Sequence, residues 1–98
     1  MSRRIWKFLM ILVLISFLAT GCYYFAAKKE MKNAEQLISE LKREGGPTLV
    51  PYEYTSAEKF LEVSKIEFND NDFKVSKEFA TRSKSAAEAG LTEVKKKK

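Results

Sequence analysis

From Ala27 to Val94 apolar and small side chains return at steps of three and four, and no stretch alternates apolar with polar residues as a half-buried strand does. Ala27, Met31, Ala34, Ile38 and Leu41 trace one face. Tyr54, Ala57, Leu61, Ser64 and Phe68 trace a second, widened by Phe60. Phe73, Ser76, Ala80, Ser83, Ala87, Gly90 and Val94 trace a third, widened by Phe79 and Ala86. The spacing predicts an all-α chain: a leading helix, then two helices paired as an antiparallel hairpin.

The breaks fall where backbone chemistry demands them. Gly45-Gly46-Pro47 ends the first stripe, because glycine suits the turn after a helix and proline cannot continue one. Thr48 to Val50 is a short connector. Pro51 fits a first helical turn, where its missing N–H costs nothing. Asn69-Asp70-Asn71-Asp72 ends the second stripe and offers side-chain oxygens to cap the next helix. Along the hairpin Ala57 and Ser64 face Ser76, Ala80, Ser83 and Ala87, so two helix axes approach closely. Most apolar area comes from Phe60, Phe68, Phe73 and Phe79. A domain this small buries only about 60% of its unfolded surface. Seam serines lower stability further unless they bond back to the preceding turn.

Ahead of the stripes lies a different kind of segment. Arg3, Arg4 and Lys7 precede an unbroken apolar run, Phe8 to Leu18, and then come Ala19, Thr20, Gly21 and Cys22. Charge, apolar centre and small residues in that order make a secretory signal. Cys22 is the only cysteine, so no internal disulfide forms. The ending resembles the lipobox of bacterial lipoproteins. That resemblance implies a lipid thioether on Cys22, cleavage after Gly21 and acylation of the new amino terminus. Gly21 and Thr20 match that pattern, and Ala19 replaces its usual leucine. Several acyl chains on one residue suit stable membrane residence, since a single chain binds reversibly. A second reading stays open. Phe8 to Ala27 is uncharged throughout and, left uncut, is long enough to cross a bilayer. Lys28, Lys29 and Lys32 beyond it fit the usual charge bias poorly. Tyr23, rather than Asp, after the cysteine points to the outer membrane, and Tyr23, Tyr24 and Phe25 belong at a membrane interface.

Charge narrows the partners. The chain holds 18 Lys and Arg against 13 Asp and Glu, a formal charge of +5. Seven of the basic residues are Arg3, Arg4, Lys7 and Lys95 to Lys98. What remains between them is slightly acidic, which excludes a nucleic-acid platform with its basic stripe. Histidine is absent, and the cysteine is spoken for, so a catalytic set would have to be built from carboxylates, lysines and hydroxyls. Glu58 and Glu62 share a helix face at an acid/base spacing. Nothing near them in the sequence would desolvate a carboxylate, and they read as a solvated face pairing with Lys65. Asn69 to Phe73 places oxygen ligands at alternate positions like a calcium loop, yet it lacks the glycine and distal glutamate of an EF-hand and reads as a capping turn. No cofactor and no metal site is expected.

The stretch from Val50 to Gly90 resembles domain-of-unknown-function family 4398, small helical bacterial envelope lipoproteins similar to tetratricopeptide units. Pro51-Tyr52-Glu53, Ala57-Glu58 with Phe60-Leu61, the Asp72-Phe73 turn, and Ala80 with Ala87 carry the likeness. Ser64, Ser76 and Ser83 stand where the family more often has alanine. The resemblance implies no enzymatic activity.

These readings divide the chain into a lipoprotein signal peptide (1–21), a lipidated amino terminus and membrane-proximal segment (22–26), a three-helix domain (27–94) and a basic tail (95–98). The expected function is a non-enzymatic protein-interaction or assembly module, lipid-anchored at Cys22 and facing the periplasm. Its partner is a second protein or a second copy, gripped by Tyr52, Tyr54 and Phe60 with Leu41 and Ile38 alongside. The alternative is a structural periplasmic spacer that meets the cell wall or an anionic surface through Lys95, Lys96, Lys97 and Lys98.

Overall fold

The computed structural model describes the backbone of residues 2–98 and the side chains of residues 3–15 and 21–98. Met1 lies outside the described residues, as do the side chains of Ala19 and Thr20, two positions of the expected cleavage signal. Among the described residues the chain is all-helical, with α1 (Ser2–Arg43), α2 (Gly46–Leu49), α3 (Pro51–Asn69) and α4 (Phe73–Lys97) and no strand.

The chief departure from expectation is α1. It runs for 42 residues without interruption, through the apolar segment before Cys22 and on into the first stripe. No proline interrupts the sequence before Pro47. The one glycine on the way, Gly21, costs a helix only about 1 kcal/mol relative to alanine and does not break it. The helix stops where expected. Gly45 takes a φ of 88°, the left-handed conformation glycine adopts without strain. The connector then closes one short turn as α2.

Helices α3 and α4 lie antiparallel, since Ser64 meets Ser76 and Ala57 meets Ser83. Asp72 caps α4 with its carboxylate, accepting from the Val75 N–H at 3.3 Å. Asn71 supplies the tight corner with a φ of 63°, a left-handed conformation its short amide tolerates. The second half of α1 runs parallel to α4: Tyr23 faces Lys77, Glu30 faces Lys84, and Glu44 faces Lys98. It touches α3 less. The molecule measures 71 × 21 × 14 Å, a thin body carried on one long helix.

The stripes read from the sequence are the buried faces. Ala34, Ile38, Ala57, Leu61 and Ala87 form one apolar cluster, and Leu41, Val50 and Val94 a second. Tyr54 packs against both. Leu41 is fully buried, and glycines on two other elements make room for it. A Cβ at Gly90 would lie 2.8 Å from Leu41 Cδ2, and one at Gly46 would lie 2.6 Å from Leu41 Cγ.

The seam serines do not bond back to their own helices. Ser64 Oγ donates to the Ser76 carbonyl at 2.6 Å, and Ser76 Oγ donates to the Ser64 carbonyl at 2.8 Å. Ser83 Oγ donates to the Ala57 carbonyl at 2.6 Å. Each hydroxyl has one proton and spends it on the facing backbone. Among the described residues no buried side-chain polar atom lacks a partner. Bonds of this kind contribute about 1 kcal/mol each, so the serines hold the seam shut where their desolvation was expected to weaken it.

Candidate functional site

The residue that most needs a role is Cys22. Its thiol is free and exposed, on the outside of α1. On its amino-terminal side the described side chains stand open. Every large apolar side chain described from Ile5 to Ile15 is more than half exposed, from 52% at Leu9 to 71% at Phe8. A helix that is apolar on all sides is made for a non-aqueous surrounding.

On its carboxyl-terminal side the body begins at once. Tyr24 packs its ring against Phe68 and Phe73, with centroids 5.2 and 5.1 Å away, and those two rings meet each other at 5.1 Å. This cluster ties α1 to the turn between α3 and α4, and Ala27 one turn later is fully buried. The signal was available in the sequence, because Tyr24 lies three residues before Ala27 and extends its stripe. The last part of the uncharged run Phe8 to Ala27 is therefore occupied by the protein's own body. From Phe8 to Cys22 the run is about 22 Å long at 1.5 Å per residue, against a hydrocarbon thickness of about 30 Å. Among the described residues no helix is long and apolar enough to cross a membrane.

Tyr52, Tyr54 and Phe60 do not share one surface. Tyr52, 79% exposed, and Phe60 line a shallow groove on the outer face of α3 and α4, together with Arg82, Ala86 and Ala89. Phe60 leans on Phe79 at 6.1 Å, and the Arg82 guanidinium sits over the Phe79 ring at 5.1 Å. Tyr54 faces the opposite way, into the core. A hydrogen bond to Glu58 raises its phenol above the ordinary tyrosine range, and partial burial adds to the effect. Leu41 and Ile38, expected alongside the groove, are core residues as well.

The lysine tail is not a frayed end. α4 continues to Lys97, whose ammonium donates to the Leu49 carbonyl at 2.8 Å. Lys98 reaches Glu44 at 2.7 Å, and Lys96 reaches Glu93 at 3.4 Å. Two of the four cations thus close the corner between α1 and α2. The hydrogen bond from Lys98, then its charge, hold the Glu44 carboxyl below the ordinary range. A depressed folded-state value means that the pair stabilises the fold above the ordinary glutamate range. That contribution is lost as pH falls through the depressed value. Lys98→Ala should therefore lower the melting temperature slightly at neutral pH and low salt and leave it unchanged in acid. Melting curves across pH check this, and a deficit that persists in acid would assign Lys98 a packing role instead.

The other candidates disperse. Glu62 pairs with Lys59 at 3.8 Å, while Lys65 turns to Glu35 at 3.1 Å. Among the described residues no three His, Cys, Asp or Glu side chains gather as a metal site. No known protein family, characterised protein or solved structure matches the chain.

Proposed function

We propose that this chain is a bacterial envelope lipoprotein, tethered to a membrane by lipid on Cys22 and facing the periplasm, on the outer membrane, since Tyr23 stands where an inner-membrane retention signal would have Asp. Its body acts as a non-enzymatic protein-interaction or assembly module. The observation that carries the reading is the position of Cys22: a lone, exposed thiol at the junction between an all-apolar helix and a packed helical body. Cleavage before it would remove the apolar segment and keep Tyr23 and Tyr24, which meet α4 and the α3–α4 turn. The all-helical fold agrees with what the resemblance to family 4398 implies. The test is the mass of the mature amino terminus after growth with labelled fatty acid. The expected product begins at Cys22 and carries the label.

The groove of Tyr52 and Phe60 is the surface offered to a protein partner. Tyr52→Ala is its clean probe, because Tyr54→Ala would damage the core instead. In intact envelopes Tyr52→Ala should reduce a discrete crosslinked species by more than about 1 kcal/mol of binding, with helicity unchanged. The spacer alternative gives no discrete species, only salt-sensitive retention on cell walls. It has fewer cations to use than the sequence promised, since Lys97 and Lys98 are engaged on the protein itself.

A further inference from the structure

The end of the body next to Cys22 is built differently from the far end. Tyr23 is 38% exposed and Phe25 71%. The Lys28 ammonium sits over the Tyr24 ring at 5.1 Å, and Lys77 of α4 sits over the Tyr23 ring at 5.8 Å. Lys29 on α1 and Lys74 in the first turn of α4 are exposed as well, with Lys74 about 13 Å nearer the α3–α4 turn. Glu67, Asp70 and Asp72 also lie at this end, on the α3–α4 turn, and Asp72 is committed to capping α4. We propose that this collar of Tyr23, Phe25, Lys28, Lys29, Lys74 and Lys77 docks on the headgroups of an anionic phospholipid surface. It holds the body upright, with the α3–α4 turn toward the bilayer. The proposal rests on the membrane tether argued above.

Three observations point to a lipid surface. Lys28 lies six residues beyond Cys22, about 9 Å along the helix, so a lipid on that cysteine brings the collar to headgroup depth. Exposed aromatic rings beside lysines are the composition favoured there, the rings at the interface and the ammonium groups on phosphate. The opposite end is withdrawn. Arg43 closes α1 21 residues after Cys22, about 30 Å away, where a Debye length of about 8 Å screens it from the same surface. The clamp of Tyr24 on Phe68 and Phe73 keeps the body from folding over.

The test uses the full chain in vesicles of phosphatidylcholine with a minority of phosphatidylglycerol and of headgroup-nitroxide lipid. A fluorophore is placed by Asn69→Cys on the near turn or by Thr48→Cys at the far corner. Asn69→Cys should be quenched several-fold more than Thr48→Cys. Equal or reversed quenching overturns the orientation. Lys28→Glu with Lys77→Glu should relieve the quenching at Asn69→Cys while helicity stays intact, and omitting phosphatidylglycerol should relieve it likewise. Unchanged quenching in that variant overturns the collar. Labelling of the chain with no added cysteine reports Cys22 separately. If Cys22 takes the fluorophore, the lipid on it is disproved, and the orientation is then read in a Cys22→Ser background.

Discussion

Leu41→Asp abolishes the cooperative unfolding transition of the body. Leu41 is fully buried, and Gly46 and Gly90 press against its side chain. An ionised carboxylate there would be buried among the apolar side chains of Leu49, Val50, Leu91 and Val94. An unpaired buried charge costs several kcal/mol, against a total stability of about 5 kcal/mol for a small domain. The same substitution at exposed Thr48 should change little. Far-ultraviolet circular dichroism with thermal melts checks the pair. A Leu41→Asp protein that melts cooperatively within a few degrees of wild type would mean that the three helices are not packed as described. Gly90→Leu tests the same wall from the other side, because its Cβ alone would strike Leu41. Overpacking of this kind typically costs about 1–3 kcal/mol.

Cys22→Ala has an all-or-none effect of a different sort. With the sulfur gone, no thioether forms, and a lipid-dependent peptidase has no substrate. The chain should accumulate at full length, without label from fatty acid and with Met1 to Gly21 attached. Its fold should be unaffected, because Cys22 is exposed. Mass spectrometry reads both consequences. A wild-type chain that keeps residues 1–21, or carries no acyl group, would defeat the lipoprotein reading while leaving the helical body intact.

Much of the body was legible because its periodicity is local. The positions Ala27, Ala34, Ile38, Leu41, Ala57, Leu61, Ser64, Ser76, Ala80, Ser83, Ala87, Gly90 and Val94 are all buried, as the steps of three and four require. The caps were legible too, because Gly45, Pro51 and Asp72 act on their own backbone. The boundary at Ala27 was not. The regular spacing begins there, whereas helix continuity depends only on the absence of a strong breaker, and none stands between Ser2 and Arg43.

The candidate surface was less legible. Tyr52 and Tyr54 are neighbours but one in sequence, which on a helix turns them about 200° apart. One therefore faces solvent and the other the core. Whether an aromatic residue belongs to a groove or to a core is decided by which face its partner helices cover. The same holds for the lysines at the end. In sequence they form a uniform run, and only the parallel arrangement of α1 and α4 brings Lys97 to Leu49 and Lys98 to Glu44.

The helical class of the fold, its faces, its turns and the singular position of Cys22 are written in the local sequence. Each of these depends on residues within a few positions of one another. How the seam serines are satisfied, which tyrosine is exposed, and that the turn between α3 and α4 sits beside Cys22 with the lysine end far from it, emerge from the packing of the helices. Those outcomes depend on contacts between residues dozens of positions apart, and no local pattern encodes the order in which three similar helices pack.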